Sequence, residues 1–391
     1  MRKVAVIGTG HSKFCFNSPK TSVEMLAEVA MDAIQEANIT PKDIQAVNVG
    51  NVLGDFEEGQ GMVQSFLAND IGCFNVAASR FEGACASGSM AVRDAVMWVA
   101  SGYYDIMLVG GVEKCTAMGT GLATRTFAMF GDSRYEYPAG FTFPAVFALL
   151  SHLYASKYGI PLETLKEQMA AVSVQSHEYA MKNPNAQIQK AISKEDVLKS
   201  FTVSSPIQLQ DACPFSDGAA AVVIASEEAA KKLVSQPVYF AGIGQASSGK
   251  LSSQYKYLPR IRARELASQQ SYRMAGLTPD DMDLCELHDC FSIAAMIAAE
   301  GLGFFEFGQS GEAWLNGETK LGGKIPINLS GGLKAKGHPI GATGVSQVYE
   351  ITRQLRGDMA EQGRQVEGAR YGIIDTLGGD GVLISMILTN Q

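Results

Sequence analysis

The stretch Glu82-Gly83-Ala84-Cys85-Ala86-Ser87-Gly88-Ser89-Met90 sets a single cysteine among very small residues. The next nine residues, Ala91-Val92-Arg93-Asp94-Ala95-Val96-Met97-Trp98-Val99, have the apolar spacing of a buried helix. With a strand expected just upstream, Cys85 falls at a helix N-terminus. Free N–H groups and the macrodipole favour a thiolate there. Small neighbours leave room for an electrophile to reach the sulfur. The bland alternative is a small buried apolar residue, which most free cysteines are.

Five histidines offer few partners for that sulfur. His338 stands in Lys336-Gly337-His338-Pro339, where the proline fixes the chain and the glycine keeps the backbone open. Its imidazole is placed to take the Cys85 proton, or to donate to an oxygen that becomes negative. A turn histidine of no special role is the competing reading. His288-Asp289-Cys290-Phe291 follows a predicted strand, Leu284 to Leu287, at the C-terminal edge where α/β proteins build active sites. Cys285, His288 and Cys290 match no standard zinc spacing and lack an evident fourth ligand, so no metal is expected.

The elements that must carry these groups alternate between strand and helix. Val4 to Gly10 reads as a strand into a polar turn; its glycines lack the third member of a dinucleotide fingerprint. Thr21 to Ala37 reads as an amphipathic helix capped by Thr21 or Ser22, and Ala46 to Gly50 and Asp105 to Gly111 as strands. From about Thr120 the texture changes to an aromatic segment (Phe127, Phe130, Tyr135, Tyr137, Phe141, Phe143) and then helical patterns. This segment either lines a substrate pocket or is core. Ala275 to Met282 echoes the segment from Ala37, and Thr376-Leu377-Gly378-Gly379-Asp380-Gly381 echoes Leu108 to Glu113. Two echoes in the same order predict a duplicated α/β unit, with Cys85 and His338 at related helix entries facing one crevice.

Composition limits the partners. A formal charge of -8 without a basic block argues against nucleic acid, although Lys334 with Lys336 forms a local cluster able to receive a phosphate. Seven scattered cysteines give no disulfide framework and point to a reducing compartment. No signal peptide, membrane span or peroxisomal C-terminus is read, so a soluble cytoplasmic protein is expected.

Taken together, Cys85 in its small-residue entry, Gly110-Gly111-Val112-Glu113, Ser216-Asp217-Gly218-Ala219, His288-Asp289-Cys290-Phe291 and the run from Asn328-Leu329-Ser330-Gly331-Gly332 through Gly337-His338-Pro339-Ile340-Gly341-Ala342-Thr343-Gly344 resemble the thiolases over essentially the whole chain. The His-Asp-Cys-Phe form resembles the sterol-carrier-protein and archaeal-type branch. The resemblance implies two βαβαβαββ halves in a five-layer α-β-α-β-α core, over residues 1–235 and 236–391, with a loop and substrate insertion at about 120–210. It implies ping-pong acyl transfer on a 3-oxoacyl-CoA without a cofactor beyond coenzyme A as substrate. Cys85 is then the acyl carrier, His338 its activator, His288 and His338 the holders of the enolate oxygen, and Cys290 the acid/base. Usual thiolases carry their second cysteine in the last Gly-rich turn, which here has none. Backbone N–H groups at Gly378 or Gly379 are expected in the oxyanion hole, and Ser216, Ser330 and Gly331 against coenzyme A. A homodimer or tetramer and a small zinc-bearing OB-fold partner are further implications. A bulky or aromatic acyl substrate, a decarboxylating ketosynthase-like enzyme and a non-catalytic acyl-CoA binder are the alternatives.

Overall fold

In the computed structural model, which describes residues 2–379 and 381–391, two copies of one unit follow each other along the chain. The first runs β1 (Val4–His11), α1 (Ser22–Glu36), β2 (Ala46–Gly50), α2 (Gly54–Glu57), α3 (Val63–Asp70), β3 (Ala77–Phe81), α4 (Ser87–Ser101) and β4 (Ile106–Glu113). An insertion follows: α5 (Gly119–Ala128), α6 (Phe143–Tyr158), α7 (Leu162–Ala180), α8 (Lys194–Leu198) and the small pair β5 (Thr202–Ser204) and β6 (Ile207–Gln208). β7 (Gly218–Ser226) and α9 (Glu227–Leu233) close the first copy. The second contains β8 (Val238–Ser247), α10 (Arg262–Ala275), β9 (Leu284–Glu286), α11 (Ser292–Gly301), α12 (Ser310–Leu315), α13 (Thr343–Arg356), β10 (Tyr371–Gly378) and β11 (Val382–Thr389). Asp380, in the last Gly-rich turn, lies outside the described residues.

The duplication extends to single hydrogen bonds. Thr40 caps a short turn by giving its N–H and hydroxyl to Asp43, both at 2.8 Å. Thr278 does the same to Asp281, both at 2.7 Å. Each turn is entered through a left-handed residue, Asn38 in one copy and Gly276 in the other. The strands run in the order β3-β2-β4-β7-β1-β8-β11-β10-β9. β2 is parallel to β3 and β4; β9 is parallel to β10 and bridges Ile327, the reduced counterpart of β3. The last two strands of each copy pair antiparallel with each other, β4 with β7 and β10 with β11, and the copies join where β1 meets β8 through two residue pairs.

Burial alternates with a period of two and sorts the side chains into layers. Ile7, Val47 and Val223 pack under Leu26, Val29 and Ala33 of α1 on one outer face. Val222, Val109, Ile374 and Ile384 turn the other way, onto Val92, Val96 and Val99 of α4 and Val345, Val348 and Ile351 of α13. Ile373, Leu383 and Ile387 face a second outer layer with Ala267 of α10 and Ile297 of α11. The sheet therefore curls so that α4 and α13 lie between its halves, which yields the α-β-α-β-α order. No helix among the described residues is long and apolar enough to cross a membrane.

The two central helices meet at their N-termini through glycines. A methyl placed on Gly344 would run into the Ser89 backbone, 2.9 Å from its Cα, and one on Gly88 would lie 2.7 Å from the Gly341 carbonyl oxygen. Gly344→Ala is therefore expected to cost about 1–3 kcal/mol, the usual penalty for overpacking a close contact. Urea unfolding measures it; a loss under about 0.5 kcal/mol, the range of an uneventful surface change, would show that the helices can simply separate.

Candidate active site

Cys85 sits in a single tight turn, residues 84–86, between β3 and α4. Ala84 holds φ at 50°, a left-handed conformation that costs a non-glycine residue free energy and marks a spot fixed by its surroundings. Ser87 locks the turn by accepting the Gly83 N–H at 2.9 Å and donating its hydroxyl to the Ala84 carbonyl at 2.6 Å. The helix entry is as expected, but the resting thiolate is not. Burial, followed by the nearby Cys213 and Glu113, pushes the Cys85 thiol far up. A helix N-terminus contributes at most about 2 kcal/mol, whereas burying an unpaired anion costs several. Desolvation wins, and Cys85 rests as a thiol.

His338 is held from two sides. Its backbone N–H donates to Ser216 Oγ at 2.8 Å. Its Nδ1 lies 2.7 Å from Thr343 Oγ1, and the single Thr343 hydroxyl proton goes to the Pro339 carbonyl at 3.1 Å. The ring N–H assigned by this network is therefore at Nδ1, which leaves the Nε2 lone pair free. That Nε2 is buried without a protein partner among the described residues. Burial lowers the His338 pKa to about 3, so the ring is neutral at working pH.

The strand end supplies the rest. His288 follows β9 and sets its ring edge-on to His338, centroids 5.1 Å apart. Burial, then His338 and Arg264, lowers its pKa well below 6.5. Cys85 Sγ and one ring nitrogen from each histidine lie within 4.8 Å of one another. Thiol and imidazoles are also zinc-ligand types, so this trio, rather than Cys285, His288 and Cys290, is the set able to hold a metal. Cys290 is buried on the same chamber, its carbonyl taking the Cys213 N–H at 2.9 Å. Burial, Cys213 and Cys85 raise its thiol too.

The three residues expected against coenzyme A are packed closely in the structure. Ser216 is fully buried under the His338 backbone. Ser330 donates its hydroxyl to Glu286 at 2.6 Å, also fully buried. Gly331 packs on Ala180, where a methyl would lie 2.7 Å from its Cβ. None of the three lines the chamber. Gly379 lines the chamber, while Gly378 is pressed against the Cys85 turn, 2.9 Å from Ala86 N to its would-be methyl. The Lys334–Lys336 phosphate cluster is corrected. Both are 2 % exposed; Lys336 pairs with Glu350 at 3.7 Å, and Lys334 feels Asp211 and Asp289.

Glu113 had no role in the sequence reading beyond its motif. It accepts the N–H groups of Val52, Leu53 and Gly341 and the Asn51 amide, tying the end of β4 to the His338 loop. Burial nonetheless pushes its carboxyl up to about 8. Thr343 and Cys213 were missed too. Thr343 follows His338 by five residues, a spacing that a tight Gly-Pro turn could have suggested.

A chamber of about 230 Å3 opens from Cys85, His288, Cys290 and His338. Phe127, Phe143 and Phe147 of the aromatic segment face into it, with Phe215, Phe291 and Leu377. This part of the segment lines a pocket; Met129 and Tyr135 are instead exposed.

The neutral histidines set a pH dependence. His338 and His11 both have pKa values lowered from 6.5 to about 3. For such groups native stability is complete above 6.5 and is lost as pH falls from there towards 3. Between pH 7.5 and 5, each is expected to cost about 2 kcal/mol of unfolding free energy. In His338→Asn the loss should shrink by about that amount; equal slopes in urea titrations of both proteins would refute the buried-neutral assignment.

Comparison with known proteins agrees with this architecture. Residues 4–228 match the family model described as thiolase, N-terminal domain, and residues 244–389 the one described as thiolase C-terminal domain-like. The chain is 41 % identical over 381 residues to an acetyl-CoA acetyltransferase of Methanothermobacter thermautotrophicus, covering 97 % of each. It is 30 % identical over 399 residues to sterol carrier protein 2 of Homo sapiens, covering 98 % of this chain and 71 % of that one. In fold it resembles a chain of the Ltp2-ChsH2(DUF35) aldolase, with TM-score 0.82 at 24 % identity, covering 99 % of this chain and 98 % of that one. With two aligned family domains over residues 4–228 and 244–389 and a relative 41 % identical over 97 % of its length, the chain belongs to the thiolase family.

Proposed function

We propose that the protein transfers acyl groups between coenzyme A thioesters through Cys85, cleaving a 3-oxoacyl-CoA or running the reverse Claisen condensation. The observation that carries this reading is the convergence of Cys85 Sγ with a nitrogen of each of His288 and His338 within 4.8 Å. In cleavage, Cys85 attacks the keto carbon while its proton passes to the free Nε2 of His338. Because thiol and imidazole both rest neutral, the proton moves as the sulfur–carbon bond forms. Backbone N–H groups of Cys85 and Gly379 hold the tetrahedral oxyanion, each such donor contributing about 3 kcal/mol to the transition state. The carbon–carbon bond then breaks, leaving acyl-Cys85 and a thioester enolate whose oxygen is held by the imidazoles. The Cys290 thiol protonates that enolate at carbon. Coenzyme A thiol finally takes the acyl group from Cys85. In reverse, Cys290 removes the α-proton.

The retained second thiol disfavours the decarboxylating ketosynthase alternative, which has no proton to move at carbon. A second copy of the chain is proposed as a partner. β3 is the edge strand at one end of the sheet, Phe56, Met62 and Phe66 are exposed in the segment leading to it, and an open edge of that kind is a template for another strand. A small zinc-bearing OB-fold partner is also proposed, supported by the fold likeness to a chain of the Ltp2-ChsH2(DUF35) aldolase. A cytoplasmic setting accords with seven free cysteines.

Incubation with acetyl-CoA should place one acetyl group on Cys85, and Cys85→Ala should take none. Cys290→Ser should keep the label yet lose at least about a hundredfold in condensation, the lower end of general acid–base contributions. Absence of label in the native protein would favour a binding-only role. Decarboxylation of malonyl-CoA without thiolysis would favour the ketosynthase alternative.

A further inference from the structure

The chamber beside Cys85 is larger and more apolar than an acetyl group needs. Its walls hold two stacked aromatic pairs drawn from separate parts of the chain. Phe127 of α5 lies on Phe215 at 5.5 Å, and Phe147 of α6 on Phe291 at 4.5 Å. Stacking of this kind stiffens a wall, so the chamber does not collapse around a small ligand. Its polar side chains are confined to the catalytic end and to Thr120 and Thr124 of α5. Apolar cavities of on the order of 150 Å3 stay dry and take up benzene. At about 230 Å3, this one has room for a ring or a short chain together with the reacting carbons.

We propose that the site takes 3-oxoacyl thioesters whose acyl group, beyond the keto carbon, is apolar and of at least phenyl size. This rests on the thiolase reading, since it is the acyl group left on Cys85 that the chamber holds. An acetoacetyl group offers one methyl to that wall. It would leave most of the aromatic surface without partner atoms, and ring faces hold water poorly. A phenyl ring or a five-carbon chain covers the same surface and gains the burial. The gain persists in the transition state, because the acyl group stays in place while Cys85 attacks, so it enters kcat/KM. Ala212, a small residue on the wall, leaves part of this room.

Thiolysis of acetoacetyl-CoA, 3-oxooctanoyl-CoA and 3-oxo-3-phenylpropanoyl-CoA tests the proposal and separates alkyl from aryl preference. At least one of the larger substrates should exceed acetoacetyl-CoA in kcat/KM by tenfold or more. Ala212→Trp, which fills the chamber, should cut that ratio by at least tenfold. Acetoacetyl-CoA turned over as well as both, or better, would overturn the proposal. Binding provides a readout that does not need turnover. Cys85→Ala protein should bind benzoyl-CoA or hexanoyl-CoA at least tenfold more tightly than acetyl-CoA. If no substrate is cleaved but this binding preference holds, the thiolase reading fails and the chamber assignment stands. Equal binding of all three overturns the chamber assignment whatever the kinetics.

Discussion

Two helix N-termini of like partial charge, those of α4 and α13, are brought into contact at one crevice, and much of the chain accommodates that meeting. Each end carries about half a positive charge, so the approach is unfavourable unless something negative lies between or near them. Glu113 supplies part of this through the lone pairs of its carboxyl oxygens, one of which takes the Gly341 N–H just ahead of α13. Gly88, Gly341 and Gly344 supply the room, since a methyl on any of them would meet backbone of the other copy. What remains is a pocket whose fixed dipoles favour negative charge that develops during a reaction. The duplication accounts for the arrangement: related helices from related units bring Cys85 and His338 to opposite sides of one cleft.

The same burial that orders this crevice keeps its groups uncharged at rest. Cys85 and Cys290 are held as thiols and His288 and His338 as neutral rings, with desolvation the largest cause for all four. A preformed ion pair would need an environment that pays both desolvation penalties, and these walls offer few polar atoms to do so. Neutral partners in contact avoid that penalty while keeping the proton's path short. The Thr343–Pro339 relay completes the arrangement by fixing the lone pair of His338 at the nitrogen facing the cleft.

What was legible in the sequence follows the range of the forces involved. Local signals read well: the Thr21 cap, the alternating strands, and the paired Thr-Pro turns at Thr40 and Thr278 all depend on residues within a few positions of each other. The duplication was visible for that reason. Charge states were not. The helix-entry argument for a Cys85 thiolate weighed a local dipole without the long-range packing that removes water. Lys334 and Lys336 look like a phosphate site until Glu350, Asp211 and Asp289 are seen around them. The motifs of Ser216, Ser330 and Gly331 are distinctive, and the close packing each residue makes in the fold depends on partners far away in the chain. Phe127 and Phe147 could not be told from core in the sequence, since a pocket wall and a core face have the same composition.

Water exclusion ties these observations into one argument about the acyl-enzyme. A thioester on Cys85 is open to hydrolysis wherever water can be held near it, and holding water takes two or more polar partners. The chamber around the sulfur is lined mainly by aromatic and aliphatic side chains, and its polar ones are those of the catalytic end with Thr120 and Thr124. The acyl group therefore waits for a thiol that brings its own binding energy. Burial raises the thiol pKa and slows the attack of Cys85 by leaving little thiolate. It also spares the intermediate, and a transferase in which the acyl group must outlast the exchange of one thioester for another depends on the second effect more than it loses by the first.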